Sequence, residues 1–210
     1  MPKQRITKEM VVDAAFELAR SGGMEQVMVK NIADRLGCSV QPIYSYCQNM
    51  EGLRQEVTER VKNFVREYAA VRIDPEDLFR STGRAYVQIA KEEPHLFKLF
   101  ILHRREGIRS LDDLYKSEAS PETAEWISEK LHIGIGQARE LHLNMLIYTI
   151  GIGAVFAMTE PGIPAEEIFV RQEAAYEAFF RQAAGGRTGS PEGAAFNDGI
   201  GLSAEADRWE

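Results

Sequence analysis

Residues 29–46 read Val-Lys-Asn-Ile-Ala-Asp-Arg-Leu-Gly-Cys-Ser-Val-Gln-Pro-Ile-Tyr-Ser-Tyr. Val29, Ile32, Ala33 and Leu36 recur at helical spacing, and Gly37 can adopt the left-handed conformation that ends a helix. Ser39 then opens a second short helix carrying Val40 to Cys47. Pro42 is tolerated there because a first-turn N–H has no intrahelical partner. Two short helices around a glycine turn, the second beginning with small polar residues, form the outline of a helix-turn-helix. An ordinary corner between two helices has the same outline. The side-chain set favours the former: Ile43 and Cys47 can face inward while Val40, Gln41, Pro42 and Tyr44 stay near the helix start, where a recognition helix touches bases.

Working outward, an upstream helix begins after Thr7, a good N-cap, and carries the stripe Val11, Ala14, Ala15 and Leu18 until Ser21-Gly22-Gly23 stops it. Downstream of the polar break Gln48-Asn49, the residues Leu53, Val57, Val61, Phe64 and Tyr68 step by three or four. They predict a long amphipathic helix from Glu51 to about Val71 that joins two lobes. Asp74-Pro75 starts another element with Leu78, Tyr86, Ile89 and Ala90, and Glu93-Pro94 punctuates it before an aromatic-rich segment, Phe97 to His103. Ser110 to Thr123 reads as mixed loop and short helix. Two long helices follow, roughly Gly136 to Met158 and Pro164 to Ala184, separated by Pro161 and Pro164. The stretch from Gly185 is rich in Gly, Ala and Ser without periodicity and reads as a flexible tail. Strand signals are nearly absent, so the fold class is all-α. The expected organisation is a three-helix domain over residues 1–50, a helical regulatory and dimerisation domain over 51–184, and the tail over 185–210.

The 210 residues are 44% hydrophobic and 27% charged, the composition of an ordinary globular chain. Net charge is −7, unevenly placed: residues 1–50 hold six Lys/Arg against five acids, a balance of +1, which leaves −8 for residues 51–210. An anionic partner is therefore expected at the N-terminal part. The apolar run Met145 to Met158 is interrupted by Tyr148, Thr149, Gly151 and Gly153 and falls short of the ~20 residues that span a bilayer. No signal-peptide core follows the basic N-terminus, so the expectation is a cytoplasmic protein with no membrane partner. Cys38 and Cys47 are too few for a disulfide framework and read as small hydrophobes. The sequence carries no Gly-rich phosphate loop, no G-x-S-x-G and no H-E-x-x-H, while His95, His103, His132 and His142 share no helix face at i, i+4. An enzyme, a cofactor and a metal site are not expected.

The run Ile32-Ala33-Asp34-Arg35-Leu36-Gly37-Cys38-Ser39, followed by Ile43-Tyr44-Ser45-Tyr46 and Leu53, resembles the tetracycline-repressor-like (TetR) regulators in order and spacing. The likeness covers about the first 55 to 60 residues, including Ala14-Ala15 and the glycine pair of the first helix. It implies a three-helix DNA-binding domain and a larger helical domain that dimerises and binds an inducer. Three residues depart from the pattern. Met28 stands where a Thr or Ser usually caps the second helix, Cys47 replaces a usual aromatic, and Met50 stands where a Lys commonly reaches the DNA backbone. No Lys or Arg occurs from Gly37 to Leu53, so the recognition helix has no cation of its own.

The DNA-facing set then has two parts. Lys3, Arg5, Lys8 and Lys30, with the Tyr46 hydroxyl, should meet phosphates. Gln41 can present its amide to adenine, Ser39 and Tyr44 can donate to base edges or phosphate, and Val40 and Pro42 can touch a thymine methyl. The competing role of Tyr44 and Tyr46 is packing against the first helix. In the second lobe, Phe97, Phe100, Trp126, Met145, Tyr148 and Phe156, with His103, His132, His142 and Thr149, are candidates to line a cavity for a small hydrophobic or amphipathic inducer. Core packing is the competing role for most of them. One short recognition helix reads few base pairs, so a homodimer on a double-stranded, palindromic operator is expected. Gly151, Gly153 and Ala154, with Ile168, Ala175, Tyr176, Phe179 and Phe180, are the candidate interface. The overall expectation is a ligand-released repressor. The alternatives are an activator without a small-molecule inducer and a helical adaptor that binds protein.

Overall fold

The computed structural model describes residues 6–46, 49–103, 105–159 and 162–185. Lys3, Arg5, Cys47 and the tail beyond Gly185 lie outside them, as does Pro161. The described residues form ten α-helices and two 3-10 turns, with no strand among them. The helices are α1 (Lys8–Gly22), α2 (Val29–Leu36), α3 (Gln41–Tyr46), α4 (Met50–Ala70), α5 (Leu78–Glu92), α6 (Pro94–Phe100), α7 (Leu111–Glu118), α8 (Pro121–Leu131), α9 (Ile135–Thr159) and α10 (Ala165–Ala184).

Local chemistry sets most of these boundaries. Thr7 Oγ1 accepts from the N–H of Met10 at 3.2 Å and starts α1. Gly23, at φ 86°, ends it in a conformation unfavourable to other residues. Met28 begins α2 with no side-chain cap. Gly37, at φ 63° and ψ 35°, closes α2, and the N–H of Cys38 returns to Ala33 O at 3.0 Å. Asn49 then caps α4 by accepting from Gly52 N at 2.7 Å.

The first three helices pack through small and branched side chains. Val11, Ala15 and Ala19 of α1, Ile32 of α2 and Ile43 of α3 are fully buried together. Leu18, expected on the α1 stripe, is only partly buried, and Phe16 and Ala19 complete the stripe instead. α4 buries Leu53, Val57, Val61, Val65 and Ala69 at steps of four. Its first four buried residues belong to the same core cluster as α1, α2 and α3, and that cluster runs on to Phe97 of α6 and Phe156 of α9. An ion pair reinforces the junction: Arg20 Nε donates to the Glu93 carboxylate at 2.9 and 3.0 Å, and the guanidinium lies 5.1 Å from the Phe64 ring centroid.

α9 is the central element of the second lobe and packs against α5, α6, α8 and α10. At 25 residues, with a mean hydropathy of 1.7 over its most apolar window, it is long and apolar enough to cross a membrane. This corrects the expectation that no apolar run approaches that length: the helix extends well upstream of Met145, through Leu141 and Leu143. Here its inward face, from Ala138 through Leu141, Met145, Thr149 and Gly153 to Phe156, is buried in the protein. Gly153 is required there, because a Cβ would collide with the Phe97 ring. The segment expected as mixed loop and short helix holds α7 and the start of α8, with Ser110 Oγ capping α7 by accepting from Asp113 N at 3.1 Å.

Candidate nucleic-acid interface and internal cavity

The interface is built around one buried side chain. Ile43 is fully buried against the first two helices, which turns the rest of α3 and the preceding turn outward. Tyr44 is 63% exposed and Val40 43%; Ser39 and Gln41 are also exposed, and Pro42 is half-buried. The Ser45 hydroxyl donates to Gln41 O at 3.1 Å, so it reinforces the helix. Tyr46 differs from the expectation. Its hydroxyl donates to Ile6 O at 2.8 Å and its ring packs on the core, which leaves no phenolic proton for a phosphate.

The flanking cations are on the surface. Lys30 is exposed, and Lys8 Nζ stands 2.7 Å from Glu56 Oε1. An exposed pair of this kind contributes little and can exchange for a phosphate. Arg54, also exposed, is the first cation after the recognition helix, and its place just beyond Leu53 was the available sequence signal.

A cavity of about 980 Å³ lies inside the second lobe. Phe97, Phe100, His103, Trp126, Met145 and Thr149 line it, as does His142. Tyr148 does not. Successive helical residues are turned by about 100°, so with Met145 and Thr149 facing the cavity, Tyr148 falls on another face of α9. Phe156 is buried in the main core, and His132 is exposed at the end of α8 with φ 53°, so neither belongs to the wall. α4 contributes Thr58, Val61, Lys62 and Arg66 to the lining.

Much of the polar wall escaped the sequence reading because it pairs α5 with α10 across the lobe. Arg80 and Arg84 share Glu173, at 3.2 and 3.3 Å. Gln172, 4% exposed, donates from Nε2 to Thr149 Oγ1 at 3.1 Å. Gly83 makes room for it, since a Cβ there would stand 2.7 Å from Gln172 Nε2. On another stretch of wall, Arg105 Nε pairs with Glu118. Burial and the Glu118 carboxylate push the nearby Tyr86 phenol up, opposed by the Arg66 guanidinium. Burial also pulls the His142 imidazole down, and its Nδ1 lies 3.2 Å from the Tyr115 hydroxyl.

Tyr176, expected at a subunit interface, is instead 5% exposed, lines the cavity and carries Arg80 4.4 Å above its ring. Ile168 and Phe179 are partly buried on the protein's own cores, and Ala175 is half-buried. Gly151 faces outward with nothing near its Cβ position, and Ala154 is half-buried. The outward surface of α9 around them carries Ile147, Val155 and Met158, and α10 exposes Val170, Ala174 and Ala178. Among the described residues, no group of His, Cys, Asp or Glu could hold a metal ion.

Residues 11–57 match the family model for bacterial regulatory proteins of the tetR family, the segment in which the resemblance was read. No curated protein matches the chain. Among 21 matching solved chains is a TetR variant from Acinetobacter baumannii AYE in complex with minocycline, 14% identical, with a TM-score of 0.49, covering 86% of this chain and 96% of that one.

Proposed function

We propose that this chain, whose residues 11–57 are those of a tetR-type regulator, is a ligand-responsive transcriptional repressor. The observation that carries the reading is the outward display of Ser39, Val40, Gln41 and Tyr44 on α3 and the turn before it, seated by buried Ile43. A helix present only for packing has no reason to expose that set. Lys8, Lys30 and Arg54 position the domain on phosphates, and the α3 side chains read the major groove.

A homodimer presents two such helices to half-sites ~34 Å apart or a multiple of that spacing. The surface best suited to pairing is the exposed stripe Ile147, Gly151 and Val155 of α9 beside Val170, Ala174 and Ala178 of α10, which would form a four-helix bundle with its copy. Gly151 allows the helices to approach closely.

α4 is the transmitting element. Its N-terminal turns pack in the core of the DNA-reading helices, and its middle lines the cavity. A ligand that displaces α4 changes the separation of the two recognition helices and releases the operator. Coupling of this kind is reciprocal: operator DNA weakens inducer binding by the factor by which inducer weakens DNA binding.

Selection of genomic fragments at two salt concentrations tests the reading. The expected result is a two-fold-symmetric site whose preference relaxes at one position in Gln41→Ala, by roughly 1–3 kcal/mol of discrimination. Salt-independent retention with no enriched site would instead support the adaptor reading.

A further inference from the structure

We infer that the effector of the cavity is an amphipathic carboxylic acid, held at its anionic end by Arg105 and at a hydroxyl or other polar group by Gln172. This rests on the cavity being the regulatory site proposed above.

Two independent observations point to it. The first is charge. Lys62, Arg66, Arg80, Arg84 and Arg105 line the cavity against only Glu118 and Glu173, in a chain whose net charge is −7. Glu173 is shared by Arg80 and Arg84, and Glu118 is taken by Arg105. Arg66 contacts Asn63 Oδ1 at 3.4 Å and has no carboxylate within 4 Å among the described residues. Lys62 is paired with Glu59 at 2.7 Å and Arg84 also approaches Asp77 at 3.9 Å, both carboxylates standing outside the lining, so the surplus positive charge of the wall rests on Arg66. Arg105 is more sheltered than Lys62, Arg80 or Arg84, with a side chain 19% exposed, so its pull on an anion is screened least among these four.

The second is hydrogen-bond accounting. Among the described residues, two buried side-chain polar atoms have no partner, and both belong to cavity-lining residues: Arg105 Nη2 and Gln172 Oε1. Buried polar groups in folded proteins are nearly always paired, so two orphans in residues lining one cavity call for a partner from outside the chain. A carboxylate accepts from Arg105 Nη2 in a charge-assisted bond. A hydroxyl satisfies Gln172 whichever way its amide is turned, because a hydroxyl both donates and accepts. Phe100, Trp126 and Met145, which line the same cavity, offer an apolar seat suited to an aromatic or aliphatic body.

Titration calorimetry of the full chain with naphthylacetate, naphthylacetamide and naphthylethylammonium separates the terms. Expected is a carboxylate affinity at least ~10-fold above that of the amide and the ammonium. Arg105→Gln should bring the carboxylate down to the level of the amide without weakening the amide. Should that variant fold poorly because Glu118 loses its partner, Arg66→Gln should still cut carboxylate affinity severalfold. Equal or tighter binding of the amide or the ammonium overturns the anionic assignment and leaves the cavity as a ligand site. An unchanged carboxylate preference in both variants likewise overturns it. No binding by any probe, in protein that still binds operator, overturns the cavity reading together with this one.

Discussion

The N-terminal bundle α1 to α3 and the cavity lobe are both helical, yet they are specified by different physics. In α1 to α3 the core is small aliphatic side chains at regular spacing, and the boundaries are set by caps and glycines within a few residues of where they act. In the lobe, Arg80, Arg84, Gln172 and Glu173 meet across α5 and α10, nearly ninety positions apart in the case of Arg84 and Glu173. The first region is assembled from local signals around apolar burial. The second keeps polar groups inside, which is useful for recognising a ligand and costly without one.

Removing the seat of the recognition helix tests this contrast most severely. Ile43→Ala should cost about 2–5 kcal/mol and abolish operator binding. Because the core cluster runs from α1 to α9, thermal unfolding should remain a single transition; two separated transitions would show that the regions are independent after all. The next effect is at the seam. Arg20→Ala leaves the Glu93 carboxylate without its guanidinium and should cost about 1–2 kcal/mol. A double-mutant cycle with Glu93→Gln should give a coupling of the same sign, and strict additivity would remove the pair from the junction.

How much of this was legible follows the same division. Thr7, Gly23 and Gly37 mark their boundaries chemically, so the helix order up to α4 is legible, whereas Pro94 marks a break without revealing that α6 follows it. α7 and α8 are blurred in sequence because only two residues, Ala119 and Ser120, separate them, and the Ser120 hydroxyl meets the Thr123 hydroxyl rather than capping the α8 backbone. At the site, the exposed residues around Ile43 followed from position on one short helix. Tyr148 lies a fraction of a turn from the cavity-facing Met145 and Thr149 on α9, closer than spacing alone resolves, and nothing near Tyr176 in sequence reveals Arg80 above its ring. Composition likewise hid a cationic wall inside an acidic lobe.

Smaller effects sharpen the comparison from the lobe side. Gln172→Leu removes an unpaired buried acceptor and should raise stability by up to ~1 kcal/mol in the absence of ligand, measured by denaturant midpoint. A loss instead would mean that the Thr149 bond outweighs the orphan. His142 should impose a modest pH dependence. Burial holds its folded value below the ordinary 6.5, so the unfolded chain binds the extra proton first. Its contribution is complete above pH 6.5 and is lost as pH falls below that value. His142→Gln should flatten that part of the stability profile, and an unaltered slope would assign it to other groups.

Val61 is at once a core residue beneath the DNA-reading helices and part of the cavity wall, and Phe97 has the same double membership. Arg80, Arg84 and Gln172 line the cavity from α5 and α10 and take no part in that core. If the cavity is the regulatory site proposed above, substitutions at Arg80, Arg84 and Gln172 should change which molecule binds without disturbing the shared core. A change at Val61 or Phe97 alters what is sensed and how it is reported together.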